Sequence, residues 1–337
     1  MAPKRMKDLY SAVLPLYYIS KILGMIPFAL DGQVGERKFK VSPLGLICSI
    51  VIGIASLLCY SFFLIFDSNE YFSEKVFSTT SKIQSFCHLS LLFLLSIMLF
   101  IKNKEILDII NRLSYISIIH NYVYKIWSII LICLIFINFF TLILIIIITN
   151  LFTPYNIYMF ISQNYGHYSS LVFSLIEIHF INIMFWLKKY FSTINSMICD
   201  VMNDFHSLEA IVHFKKVSEL NLLSKNVSST KTKLKYLKEV HSDMCNIAEF
   251  ANSTYNVKML LIVADKFRIS ITGTYFTVVT ILNYDRGLYA GNIWNFLTVL
   301  MCLGIFQFIL ILWYASFTAN EVSVHFTCDN FNLIKQK

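Results

Sequence analysis

The 337-residue sequence predicts an all-α protein, a polytopic bundle of transmembrane helices. Hydrophobic residues make up 57% of the chain and charged residues only 14%, so a soluble fold of this length lacks the charges to cover its apolar surface. Apolar runs of about 20 residues, the length that crosses roughly 30 Å of hydrocarbon, recur along the chain. The basic residues behind the net charge of +8 lie between these runs, which is typical of membrane insertion and argues against a nucleic-acid partner.

Six apolar runs are long enough to be predicted as membrane spans. The fifth is shorter than the others and rich in threonine, and the charged residues Asp265, Lys266 and Arg268 surround its start. We therefore expect a six-span bundle. The predicted spans cover residues 44–66, 83–101, 126–149, 168–187, 267–284 and 293–317. The four tryptophans lie near span ends, where we expect their amphipathic rings to sit at the headgroups.

The charge distribution predicts that the N-terminus lies inside. With that orientation, 25 of the 28 Lys and Arg residues fall in inner segments, as the positive-inside rule requires. The sequence then divides into an N-terminal segment with an interfacial helix, spans one to four, an inner helical anchor region, spans five and six, and an inner tail. These predicted segments cover residues 1–43, 44–187, 188–266, 267–317 and 318–337.

Segment 9–30 decides between two span counts. It is long enough to cross the bilayer, but Lys21, Pro15 and Pro27 favour a helix along the inner interface. If it crossed, the count would become seven, which is that of a G-protein-coupled receptor. Against this alternative, no predicted span contains proline and no predicted outer loop contains a cysteine for a disulfide. A transporter predicts repeated halves and broken helices, and neither is apparent.

The inner segment between spans four and five carries helical stripes of apolar residues. One stripe continues beyond span four from Val201, and another, with Leu237 and Met244, leads towards span five. The 3–4 residue spacing predicts that both spans extend inwards as helices whose apolar faces need partners. The alternative is a helical hairpin that packs only on itself.

Signatures of catalysis are absent from the sequence. There is no phosphate-binding loop, dinucleotide fingerprint, serine-hydrolase elbow, HExxH or CxxC motif. The eight histidines are scattered, without the spacing of metal ligands. We therefore expect no enzyme activity, no catalytic residue, no cofactor and no metal site.

Polar residues inside the predicted spans are the candidates for ligand binding. Glu177 and His179 lie mid-span but about 200° apart around the helix, so they face different neighbours. A buried glutamate is costly and either faces a cavity or makes a structural bond between spans, and serine and threonine also join helices. Polar and aromatic residues in the outer halves nevertheless predict a ligand pocket. Its candidate residues are Gln84, His88, Thr141, His167, Ser174, Glu177, Thr277, Thr280, Tyr284, Trp294 and Thr298.

Three stretches give the sequence a family resemblance. They are PLYYISKILGMIPF near the start, YLKEVHSDMCNIAEFANSTYNVKMLLIVADKF before span five, and CDNFNLIKQK at the end. Together with the order of the spans, they resemble the insect gustatory receptors of the insect chemoreceptor superfamily. One departure is that the chain does not show the family's seventh span, which ends in Thr-Tyr, five apolar residues and Gln-Phe.

The resemblance implies a taste receptor subunit in the plasma membrane of sensory neurons. It implies a homo- or hetero-tetramer that opens a cation channel when a small-molecule tastant binds in the outer half of a subunit. In the family the last span lines the pore, so we expect this chain to be a shortened form that conducts no current alone. The ligand, sugar or bitter, stays open.

Overall fold

The computed structural model describes six ranges of the chain. The residues described are 9–32, 37–66, 75–115, 121–152, 157–212 and 220–282, with the isolated positions 309, 312, 313 and 316. Over these residues the protein is mostly helical, as predicted. The elements are α1 (Leu9–Ile22), β1 (Phe28–Asp31), β2 (Lys38–Val41), α2 (Pro43–Phe66), α3 (Lys75–Ile101), α4 (Asn103–Tyr115), α5 (Asn121–Phe152), α6 (Ile157–Val212) and α7 (Leu220–Leu282).

Each of the first five predicted spans coincides with part of a helix. Spans one to five fall in α2, α3, α5, α6 and α7, each of which begins before the predicted span or ends after it. The sixth predicted span, apart from four isolated positions, lies outside the described residues. Within the described part, Tyr168–Asn203 of α6 is long and apolar enough to cross a bilayer. Phe86–Ile101 and Lys104–Ser114 meet the same criterion as a pair, bent by 56°.

The central helix of the bundle is α6. It packs against α7, α5, α2, α3 and α1, and its residues between Leu171 and Ile198 are largely buried. The helices around it turn large apolar side chains outwards: on α2, Leu44 and Leu58 are 72% and 65% exposed. Exposed apolar side chains of this kind suit contact with lipid rather than with water, because lipid tails are themselves apolar.

Helix α1, as the structure describes it, is shorter than a typical membrane span. Its 14 residues extend about 21 Å, against roughly 30 Å of hydrocarbon. It ends where the amides of Gly24 and Met25 bond back to the carbonyls of Lys21 and Ser20, with Gly24 in the left-handed region (φ 69°), as in a Schellman cap. The seven-span alternative required segment 9–30 to cross as one helix, whereas the structure divides this segment between α1 and β1.

One face of α1 is buried in protein. The hydroxyl of Tyr10 donates to Asn111 Oδ1 at 2.8 Å and lies 2.7 Å from Ser114 Oγ, both on α4. Leu16 and Tyr17 on the same face are also buried. The sequence predicted an interfacial helix, and its packing against α4, α5 and α6 was not foreseen.

The β1–β2 hairpin is a departure from the predicted all-α fold. Its two antiparallel strands pair Phe28 with Val41 and Asp31 with Lys38. The side chain of Asn111 on α4 accepts from Phe39 N at 3.1 Å and donates to Phe39 O at 3.2 Å, so it continues the backbone pairing. Four-residue strands are too short for a period-two pattern to stand out in the sequence.

Two of the tryptophans expected near the headgroups are enclosed in the protein. Trp127 and Trp186 are 0% and 1% exposed, and their indole N–H groups both donate to Asn182 Oδ1, at 2.7 Å and 3.1 Å. Trp127 also stacks on Phe185, with 3.5 Å between ring centroids. A buried indole needs an acceptor, and Asn182 on α6 supplies one for both rings.

Beyond the predicted spans, α6 and α7 continue together as paired helices. The rings of Phe191 and His241 lie 5.5 Å apart, and Ile198, Leu237 and Met244 are buried. The apolar stripe predicted before span five is thus the face that α7 turns towards α6.

Candidate functional site

A buried network of polar side chains joins α3, α6 and α7. His88 Nδ1 on α3 lies 3.1 Å from Asp265 Oδ1 on α7, and His88 Nε2 hydrogen-bonds to Ser169 Oγ on α6. Arg268 donates to the same Asp265 oxygen from Nη2 at 2.7 Å and from Nε at 3.1 Å. We call these four residues the α3–α6–α7 network.

Both ring nitrogens of His88 have polar partners in the network. Nδ1 lies between an acceptor, Asp265 Oδ1 at 3.1 Å, and a donor, Arg268 Nη2 at 3.2 Å, while Nε2 hydrogen-bonds to the hydroxyl of Ser169. Either nitrogen can therefore donate or accept in this arrangement. The carboxylate of Asp265 and the guanidinium of Arg268 compensate each other's charge among the apolar helices.

One atom of the network has no partner. Asp265 Oδ2 is buried and accepts no hydrogen bond from the residues that the structure describes, and the side chain as a whole is only 2% exposed. A buried carboxylate oxygen without a donor is unfavourable. It is the position in the network where an additional donor group would bind.

Glu177 and His179 face opposite neighbours, as their spacing predicted. Glu177 Oε1 lies 3.3 Å from Lys266 Nζ on α7, with side-chain exposures of 3% and 19%. His179 Nε2 lies 2.8 Å from Ser20 Oγ on α1. About half a turn of α6 thus makes polar contacts with both α7 and α1.

The pairing of α6 and α7 accounts for these contacts. The two helices run antiparallel: Lys266 lies beside Glu177, and Tyr255 lies beside Phe180 with 5.7 Å between ring centroids. Asp265 and Arg268, which the sequence placed at the border of span five, are therefore beside His88 and α6. Counting apolar residues placed these charges at the edge of the span, whereas helix pairing buries them against partners.

A second polar cluster lies where α3 bends into α4. Glu105 accepts from Lys102 Nζ at 2.6 Å and from Thr254 Oγ1 on α7 at 2.8 Å. Burial alone raises the pKa of Glu105, but the bonds from Lys102 and Thr254 outweigh it and hold the pKa below its usual value. We call Lys102, Glu105, Thr254 and the neighbouring Lys258 the Lys258 cluster.

The structure brings only part of the predicted pocket together. His88 belongs to the network and Glu177 to the adjacent ion pair. Ser174 is half-buried on α6, and Thr141 donates to the carbonyl of Ile137 on its own helix at 2.8 Å. The side chains of Gln84, His167, Thr277 and Thr280, and the whole of Tyr284, Trp294 and Thr298, lie outside the described residues.

Sequence reasoning missed the α7 half of the site. Asp265, Lys266 and Arg268 were noted only as the charged border of a span, and Ser169 was not singled out. A signal was available in the matching of polar groups. Charges at the start of span five need partners if they are buried, and His88 and Glu177, inside other predicted spans, are polar residues that could supply them. The described residues contain no group of three or more His, Cys, Asp or Glu side chains arranged for a metal ion.

Comparison with known families identifies the chain. The profile of the family described as 7tm Chemosensory receptor matches residues 13–334, which is nearly the whole sequence. No curated protein matches the chain. The match agrees with the apolar, mostly helical structure and with the resemblance found in the sequence. The chain therefore belongs to the 7tm chemosensory receptor family, which are membrane proteins.

Proposed function

We propose that this chemosensory receptor is a taste receptor subunit that binds a small-molecule tastant at the α3–α6–α7 network. The observation that carries the proposal is the unpartnered Oδ2 of Asp265 in a buried site. A ligand hydroxyl or N–H group donating to this oxygen would complete its hydrogen bonding. Apolar walls with a few directional polar groups are what a small-ligand site requires.

The position of the network suits the transmission of a signal. Its side chains come from three helices, so a ligand that bonds to Asp265 acts on α3, α6 and α7 together. The α7 helix continues from Arg268 back to Leu220 and is paired with α6 over much of that length. A shift of α7 at the network would therefore reach the inner ends of both helices as a movement of packed elements.

The assembly that we propose follows the family resemblance. The subunit would form a homo- or hetero-tetramer in the plasma membrane of sensory neurons and control a cation current, without a chemical step of its own. Cross-linking of the receptor in native membranes, followed by a size measurement on denaturing gels, tests the tetramer: a ladder ending at four subunits is expected. A ladder ending at two would contradict it.

Ligand binding is tested with Asp265→Asn, which keeps the shape of the side chain but removes its charge and turns one acceptor into a donor. Purified receptor is screened for thermal stabilisation by tastants, including a neutral sugar and a cationic alkaloid. For any compound that stabilises the wild type, we expect about tenfold or more weaker apparent binding in the variant, about 1.4 kcal/mol.

Thr141→Val is the matched control for this experiment. It removes a hydroxyl that was also predicted for the pocket but that bonds to its own helix in the structure. It should bind the same compound as the wild type does. Equal losses in the two variants, or no loss in Asp265→Asn at normal thermal stability, would contradict a ligand site at the network.

A further inference from the structure

Lys258 in the inner part of α7 is a buried cation without a hydrogen-bond acceptor. The residue is 0% exposed, and its Nζ makes no hydrogen bond within the part of the chain that the structure describes. Its Nζ lies 5.0 Å from the centroid of the Tyr255 ring. The face of an aromatic ring attracts a cation but does not accept its three N–H groups.

The carboxylate in this cluster is already committed to other groups. Glu105 Oε1 is bonded to Lys102 Nζ at 2.6 Å, and Glu105 Oε2 is bonded to Thr254 Oγ1 at 2.8 Å. Within the described part of the chain, Lys258 Nζ has no hydrogen-bond partner, and the charge of Glu105 acts on it only from a longer distance. The cluster therefore contains two cations and one anion, and its excess of positive charge lies at the buried amine.

Burial of an unpaired ammonium is strongly unfavourable, and an opposite charge beside it favours the protonated form. A water molecule would supply an acceptor but no negative charge. An anion would supply both. The Asp265–Arg268 pair on the same helix illustrates the usual arrangement, since its cation and its carboxylate are in direct contact.

We propose that Lys258 is the centre of a binding site for a small inorganic anion of the size of chloride. Because Lys258 is fully enclosed, a phosphate that is part of a lipid headgroup would require the helices to separate, whereas a monatomic anion requires little space. The bound anion would bring the charge of the cluster to zero and stabilise the packing of α7 against the α3–α4 bend.

The test is the thermal unfolding of the purified full-length receptor in detergent. Chloride is raised from zero to 100 mM while gluconate is lowered, so that ionic strength stays constant. A ligand that binds only the folded state raises the unfolding temperature, and we expect a rise of about 2–4 °C. An unfolding temperature that does not respond to chloride would overturn the proposal.

Variants assign the effect to Lys258. Lys258→Met should unfold at a temperature independent of chloride, and Lys258→Gln serves the same purpose if the methionine variant does not fold. Lys238→Met, at an exposed lysine on the same helix, should keep the full chloride response. Persistence of the response in both Lys258 variants would contradict the site.

A titration with an anionic lipid distinguishes a lipid phosphate from an inorganic anion as the ligand of Lys258. The same receptor is titrated with phosphatidylglycerol in gluconate buffer, and the proposal expects no stabilisation that depends on Lys258. Stabilisation by the lipid but not by chloride, lost in Lys258→Met, would overturn the inorganic-anion proposal. These outcomes are independent of any tastant response.

Discussion

The two polar clusters along α7 differ in how they balance buried charge. In the α3–α6–α7 network and the adjacent Glu177–Lys266 pair, each acidic group lies against a basic one. In the Lys258 cluster, about two turns further towards the N-terminus of α7, two lysines lie near a single carboxylate, which is bonded to Lys102. The comparison teaches that the same helix can bury a charge either in contact with an opposite charge or without one in contact.

The largest effect is expected where a complete pair is broken. Asp265→Ala leaves Arg268 without its carboxylate and removes a partner of His88 in a buried site, so we expect a loss of about 3–5 kcal/mol in unfolding free energy. Thermal unfolding of purified receptor measures it. The double variant Asp265→Ala/Arg268→Met should recover part of the loss, and equal stability of the single and double variants would contradict the pairing.

Two lysines on α7 give a direct contrast between the clusters. Lys266→Met leaves the buried carboxylate of Glu177 unpaired, and we expect it to cost about 1–3 kcal/mol. Lys258→Met removes a charge whose Nζ has no hydrogen-bond acceptor among the described residues, so in chloride-free buffer it should unfold at the same temperature as the wild type or a higher one. A similar loss for both variants would show that Lys258 has an acceptor in the protein.

A smaller effect is expected from pH at Glu105. Because its pKa is lower in the folded protein than the usual value near 4.5, Glu105 contributes stability above that value and loses it as pH falls through the folded pKa. Lys102 is 34% exposed, so we expect less than about 1 kcal/mol. Acid titrations of the wild type and Glu105→Gln measure it, and parallel curves below pH 4.5 would exclude the contribution.

The smallest effect is expected at the hairpin surface. Asp31 and Lys40 form an ion pair at 2.6 Å, but their side chains are 61% and 66% exposed. Lys40 holds the pKa of Asp31 below its usual value by a hydrogen bond and by its charge, yet solvent screens such pairs. Asp31→Asn should leave the unfolding temperature unchanged. A clear loss would mean that the hairpin contacts something beyond the described residues.

Several features of the site followed from local sequence. The spacing of Glu177 and His179 placed them on different faces of one helix, and they contact α7 and α1 respectively. His88, predicted as a pocket residue within an apolar run, joins α3 to α7 and α6 through its side chain. In each case the helical repeat and the cost of an unpaired polar group were sufficient, because both are properties of a single helix in an apolar environment.

By itself, the sequence determined the helices, their apolar faces and the membrane class of the protein. The tertiary structure alone decided which charges meet: His88 and Asp265 are 177 positions apart, and their contact depends on the register between α7, α3 and α6. The burial of Trp127 and Trp186 and the enclosure of Lys258 have the same origin. Periodicity assigns a residue to a face of its own helix, but the neighbour of that face depends on how whole helices pack.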